Sequence, residues 1–207
     1  RDLIQKGILY AEERNLKEKR IITYVICSNS VNVSDNLLDF CKEHNVVFST
    51  SLDGPECLHN NNRGKKDSYQ KVVSGIERIR KALGADRVSA LMTTSEESLK
   101  YPHEIIDSYR ENGFHSIFLR SLNPYGLARE NNDWPSYFDG FVCFFKESLE
   151  YILEINKQGE LFIEEFTALI LKKILTPFPI GFVDLQTPSG IINGVIVYNY
   201  DGYVYAS

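Results

Sequence analysis

Four short polar stretches each follow an apolar run in this sequence: Ser28-Asn29, Ser51-Leu52-Asp53, Thr93-Thr94 and Leu122-Asn123. Their hydroxyls and amides can both donate and accept hydrogen bonds, and the carboxylate accepts. At the ends of parallel strands, such groups are where α/β folds hold ligands. The second stretch is the richest. Val46-Val47-Phe48 run into Ser49-Thr50-Ser51-Leu52-Asp53, Gly54-Pro55 stop the run, and His59 and Arg63 follow. A guanidinium such as that of Arg63 matches a carboxylate with two parallel hydrogen bonds. Each residue also has a plainer reading. Arg63 in an Asn-rich loop reads as a solvated charge, and Ser28-Asn29 as an Asx turn leading to a helix cap at Ser34. Asp53 reads first as the cap of its own turn, and His59 as a hydrogen-bond partner within the loop.

Strands and helices must alternate to bring those tips to one rim. Residues 2–18 read as a helix with Leu3, Ile4, Ile8 and Ala11 on one stripe. Ile21 to Ile26 is a continuous β-branched run and reads as an inner parallel strand. Ser34 caps a helix to about His44, and residues 46–50 form the next strand. Residues 55–66 read as an irregular polar loop. Asp67 and Gln70 suggest a capping box for a helix to Leu83. Arg87 to Met92 is a third strand. Pro102 opens a helix that Gly113 closes, and Ser116 to Leu122 is a fourth strand tipped by Asn123-Pro124-Tyr125-Gly126. Repeated strand-helix units make a parallel sheet, open or closed, and right-handed crossovers put the strand tips on one face. Beyond residue 132 the pattern changes. Pro135 opens a long helix to about Gln158, with Tyr137 and several Phe residues on its apolar side. A second apolar helix covers 160–175. Val195 to Ala206 reads as a hairpin around Asp201-Gly202.

The net charge of -5 argues against non-specific binding to nucleic acid. No apolar run has the length of a membrane span, and no signal peptide is visible. Cys27, Cys41, Cys57 and Cys143 are too far apart for a C-x-x-C pair, and three of them read as buried thiols of a reducing, cytoplasmic compartment. Arg1 falls within a helix and Ser207 on the return strand of a hairpin, so the chain reads as an excised piece of a longer protein.

The run Ser51-Leu52-Asp53-Gly54-Pro55, then His59, Arg63 and Asp67-Ser68-Tyr69, resembles the middle of a radical S-adenosylmethionine enzyme with a C-terminal cluster domain of the SPASM type. Anaerobic sulfatase-maturating enzymes are the best-known relatives. Phe118 to Gly126 and Val197 to Ser207 resemble the maturases paired with His-Xaa-Ser repeat peptides. The resemblance implies a partial (β/α)6 TIM-like barrel in residues 1–132. A helical segment at 133–185 would follow, and the start of a truncated cluster domain at 186–207. It implies a parent enzyme that modifies a peptide or protein through a 5′-deoxyadenosyl radical, using S-adenosylmethionine and a 4Fe–4S cluster.

By match to the motif, Ser51 would contact the methionyl or ribose part of S-adenosylmethionine, and Arg63 the methionine carboxylate. Ser28 and Asn29 match a Thr-Asn strand tip, and Leu122, or its neighbour Ser121, would meet adenine. The C-x-x-x-C-x-x-C loop of the family is missing, which the resemblance places before Arg1, so no cluster or cofactor is expected bound and no catalysis is expected of this chain alone. An unpaired barrel edge at 21–26 would favour self-association. The competing reading is a non-catalytic α/β module that binds a small ligand or a peptide at its strand tips. No G-x-G-x-x-G or Walker-type stretch supports it.

Overall fold

The computed structural model describes residues 2–124, 133–182 and 196–205. The chain forms two compact units, Arg1–Ile163 and Glu164–Ser207. In the first, helix α1 (Asp2–Glu18) precedes strand β1 (Val25–Cys27), helix α2 (Asp35–Glu43) and strand β2 (Val47–Ser51). Helices α3 (Glu56–Arg63) and α4 (Ser68–Leu83) lead to strand β3 (Val88–Leu91). Helix α5 (Pro102–Glu111), strand β4 (Ser116–Ile117) and helix α6 (Trp134–Lys157) follow. Strands β1, β2 and β3 pair in that order, all parallel, with Cys27 opposite Ser49 and Ser51 opposite Leu91. A parallel bridge between Thr94 and Ser121 carries the pairing on to the fourth tip. The architecture is α/β with parallel strands, as the alternating pattern requires. Among the described residues no closed barrel forms.

Helices α4, α5 and α6 each lay a 3.6-period apolar stripe into the core. Val72, Ile76 and Ile79 of α4 are buried, as are Ile105, Ile106 and Tyr109 of α5 and Phe144, Ile152 and Ile155 of α6. Phe48 of the central strand lies in the same core. Capping follows sequence in α2, where Ser34 Oγ accepts from Leu37 N–H. Helix α5 ends in a Schellman turn: Gly113 takes a φ of 69°, Phe114 N–H donates to Tyr109 O and Gly113 N–H to Arg110 O.

Several elements differ from the sequence reading. Residues 56–63 are helical. The segment is polar on all but one side, and only Leu58 and His59 are buried, so it shows no broad apolar stripe. The first strand covers only Val25–Cys27 and lies at the sheet edge, with Ile21 and Ile22 exposed. Asp67 makes no capping bond: its φ of -116° and ψ of 12° are not extended, and its carboxylate pairs with Lys71. Strand β4 is two residues long and belongs to a different sheet from β1–β3; Ser121, beyond it, meets Thr94 only through an isolated parallel bridge. Of the stripe on α1 only Ile8 is buried. Of the four thiols only Cys41 is buried; Cys27 sits on the edge strand, and Cys57 and Cys143 on solvent faces of helices.

In the second unit, β5 (Ile163–Glu164) crosses the boundary and leads into α7 (Glu165–Leu175). The apolar pattern from 160 predicts helix, but Leu161 and Phe162 precede it and Glu164 starts it. The Glu164 carboxylate accepts from Phe166 and Thr167 N–H. Strands β6 (Val197–Tyr198) and β7 (Val204–Tyr205) pair antiparallel, as the hairpin signal predicts. The turn is a three-residue loop rather than a two-residue Asp-Gly turn. Asn199 N–H bonds Tyr203 O, Gly202 alone has positive φ, and Asp201 accepts from Tyr203 N–H. Tyr125 and Gly126, Val195, and Ala206 and Ser207 lie outside the described residues.

Gly75 fixes the distance between α4 and the β1–α2 loop. A Cβ there would stand 2.1 Å from the carbonyl oxygen of Ser30. Gly75→Ala gains about 1 kcal/mol of helix propensity. Overpacking against backbone costs more, so the variant is expected to lose about 2 kcal/mol net in urea denaturation.

Candidate functional site

The tip of β2 is held by a buried carboxylate. Asp53 is fully buried two residues beyond Ser51. Arg63 Nε and Nη2 donate to Asp53 Oδ2 and Oδ1, each at 2.7 Å. The backbone N–H of Thr93, at the tip of β3, donates to Asp53 Oδ1 at 2.9 Å. Helix α3 exists at this place because Gly54 turns the chain at a φ of 123° and packs against Ile105, so that α3 returns Arg63 to the strand tip. The Asp53 carboxylate thus holds two strand tips and a helix end. It caps more than its own turn.

His59 completes the network. It is buried; Asp53 N–H donates to its Nδ1 at 3.2 Å, and Nε2 lies 3.2 Å from Ser68 Oγ. Nδ1 is therefore the unprotonated nitrogen, and Nε2–H donates to Ser68. Nδ1 also stands 3.6 Å from Asp53 Oδ2. With Nδ1 carrying no proton, this contact is not an ion pair. Burial is the largest influence on the imidazole and pushes its pKa down; Arg63 acts the same way and Asp53 opposes. The neutral ring is the form that fits its donor.

Beside this network a cavity of about 360 Å³ opens at the strand tips. Ser51, Met92, Thr93, Thr94, Arg120 and Leu122 are among its walls. The Thr94 hydroxyl is buried with no hydrogen-bond partner. An orphaned buried hydroxyl costs about 1–3 kcal/mol unless a ligand or water satisfies it, so the cavity is chemically suited to a polar guest. Tyr137 braces the wall. Its hydroxyl donates to Thr94 O and accepts from Leu122 N–H, both at 2.7 Å, and burial pushes its pKa up. The helical spacing assigns Tyr137 to the core, where it does lie. The signal for its second task is a phenol among phenylalanines, since a buried hydroxyl must find a partner.

The structure therefore brings Ser51 and Leu122 to one cavity. The Leu122 N–H is taken by Tyr137, which leaves its side chain and carbonyl to meet a guest. Arg63 is not in the wall; it is joined to it through Asp53 and Thr93. Its guanidinium is not the free charge that the sequence suggests, yet its side chain keeps 34% exposure, and Nη1 is not used in the bidentate pair. Ser28 and Asn29 stand at the edge-strand tip and form local turns: Ser28 Oγ accepts from Ser30 N–H, and Asn29 Oδ1 from Val31 N–H. Among the described residues no group of three or more His, Cys, Asp or Glu is placed to hold a metal ion. No helix among them is long and apolar enough to cross a membrane.

A parallel α/β fold with polar strand tips around a cavity is the class defined by these features. Solved structures share it. Native anSMEcpe with bound AdoMet and Kp18Cys peptide aligns with a TM-score of 0.70 at 16% identity, over 98% of this chain and 55% of that one. Native anSMEcpe with bound AdoMet aligns at 0.68 and 19%, over 96% and 54%. In sequence the chain is 23% identical over 163 residues to the cysteine-type anaerobic sulfatase-maturating enzyme of Clostridium novyi, covering 72% of this chain and 42% of that enzyme. It is 27% identical over 115 residues to the serine-type enzyme of Bacteroides thetaiotaomicron, covering 52% and 27%. It is 26% identical over 171 residues to an uncharacterized protein of Synechocystis sp., covering 80% and 42%. No family model matches the chain. The chain spans 42% of the length of the first two curated relatives it matches. These likenesses support the resemblance to anaerobic sulfatase-maturating enzymes.

The His59 network has a defined pH signature. The folded-state pKa lies below the ordinary value of 6.5, so the unfolded chain takes up the proton first. This contribution to stability is complete above pH 6.5 and is lost as pH falls through the folded-state pKa. Urea denaturation at a series of pH values is expected to show that loss. In His59→Leu the slope should vanish, while stability at neutral pH falls by about 1–3 kcal/mol because Asp53 N–H has no acceptor.

Proposed function

We propose that this chain forms the S-adenosylmethionine-binding wall of a radical S-adenosylmethionine maturase that acts on a peptide or protein. The observation that carries the reading is the strand-tip cavity with its orphaned Thr94 hydroxyl, in a fold shared with structures that hold AdoMet. Ser51 and Thr94 would hold polar parts of the cofactor, and Leu122 would face adenine. Arg63 would meet the methionine carboxylate through Nη1 while Asp53 keeps the other edge of the guanidinium in place. A buried carboxylate orients this arginine before the guest arrives, which lowers the ordering cost of binding. Ser28 and Asn29 would act at the edge of the same rim through their turn.

When bound, S-adenosylmethionine with an electron from an iron–sulfur cluster would supply the radical chemistry that removes a hydrogen atom from a peptide side chain. Among the described residues no cluster site forms. A peptide partner fits the likeness to the structure with a Kp18Cys peptide. Membership among the maturases of His-Xaa-Ser peptides would rest on Phe118 to Gly126 and on Val197 to Ser207, and residues 186–207, with the hairpin, would belong to the start of a SPASM-type domain.

Two readouts test the reading on the protein that contains this chain, handled without oxygen. Equilibrium dialysis with S-adenosylmethionine is expected to show binding that falls about tenfold or more in Arg63→Ala and several-fold in Thr94→Val. After cluster reconstitution and reduction, 5′-deoxyadenosine should form and should be lost with Arg63→Ala. Absence of both S-adenosylmethionine binding and 5′-deoxyadenosine would overturn the reading and favour an α/β module for another ligand.

A further inference from the structure

A second cleft, of about 430 Å³, lies between the start of α3, the first turn of α4 and one face of α5. It shares no wall residue with the strand-tip cavity. Glu104, Asp107, Ser108 and Glu111 fall three to four residues apart along α5, which puts them on one face. Glu56 and Tyr69 face them across the cleft.

The charges here are unbalanced in an unusual way. Asp107 is answered by Arg110 Nη1 at 2.6 Å and by the Tyr151 hydroxyl. Glu56, Glu104 and Glu111 have no cation or hydrogen-bond donor among the described residues. Glu56 and Glu104 sit in first helical turns, where the backbone favours a carboxylate. Glu111 is the last residue of α5, where the backbone disfavours one, and it lies four residues from a second carboxylate. A residue that breaks a local rule without a compensating contact marks a place where function outweighs stability. The second, independent observation is Ser108. Its residue is 3% exposed and its hydroxyl is buried in this wall with no hydrogen-bond partner. Tyr69 adds a phenol oxygen that accepts from Asn112 Nδ2 and has a second lone pair for another donor.

The guest that suits these groups carries positive charge and several donors at once. Among the described residues no three His, Cys, Asp or Glu are placed to hold a metal ion, and acceptors spread along the cleft suit an organic cation with several donors. Acceptors on two walls, beside the unsatisfied Ser108 hydroxyl, match a guanidinium fork better than a point charge. We propose that this cleft binds an arginine side chain of a polypeptide segment, at a site separate from the strand tips. The proposal is independent of the cofactor reading.

The test is fluorescence anisotropy with a labelled Gly-Ser-Arg-Gly-Ser-Arg-Gly-Ser peptide and its citrulline counterpart, which has the same shape without charge. The arginine peptide is expected to bind and to weaken as salt is raised, with the citrulline peptide about tenfold weaker or more. Glu104→Gln with Glu111→Gln should weaken the arginine peptide about tenfold, and Ser108→Ala several-fold. Glu150→Gln with Glu154→Gln removes equal charge on α6 and should leave binding unchanged. No binding, equal binding of both peptides, or an equal loss in the α6 pair would overturn the proposal. Displacement of the peptide by spermidine at lower concentration than by unlabelled peptide would also overturn it, since the site would then serve a free polyamine.

Discussion

The buried carboxylate of Asp53 ties three segments of the chain together. A lone ionised group at this depth would be strongly unfavourable, and it persists because a bidentate guanidinium and a backbone N–H surround it. Removing one partner of a buried pair costs about 3–5 kcal/mol, discounted here because a third of Arg63 faces water. The consequence is geometric more than energetic. The tips of β2 and β3 and the end of α3 cannot move apart without stranding the charge. His59 adds a second restraint by accepting from the backbone of Asp53 itself. The wall of the strand-tip cavity is therefore built before any guest arrives, and preorganisation of this kind is what polar binding sites require.

The same network shows why a strand tip of this composition differs from an ordinary polar turn. Ser28-Asn29 has the residue types of a site, yet its side chains are spent on the backbone two residues ahead. Ser51 is not spent, because Asp53 carries the local hydrogen bonding on a charge drawn from another helix. Tyr137 does the same service on the opposite wall, by joining Thr94 and Leu122 through one hydroxyl.

Much of this was legible in residue order. Alternating apolar runs and amphipathic stripes gave the parallel α/β arrangement, and Ser34, Pro102 and Gly113 marked helix ends where they do end. Helix α3 escaped because its apolar stripe is too narrow to set a period: it is fixed by contacts at Leu58 and His59 and by the pull of Asp53 on Arg63. Strand β1 is shorter than its β-branched run because an edge position leaves Ile21 and Ile22 without a covering layer. The carboxylate-guanidinium pair could not be read at all. Asp53 and Arg63 are ten residues apart, and only a helix between them closes the gap. The unbalanced acidic face of α5 was likewise invisible, since its opposite wall comes from α3 and α4.

We propose that Arg63, held by Asp53, presents its remaining edge to the carboxylate of S-adenosylmethionine at a cavity lined by Ser51 and Leu122. The most direct test is a crystal structure of the protein with S-adenosylmethionine bound. The account predicts the methionine carboxylate on Arg63 Nη1 with the Asp53 pair intact, and adenine against Leu122. S-adenosylmethionine found elsewhere on the chain, or an Arg63 that keeps only Asp53 as its partner, would contradict it.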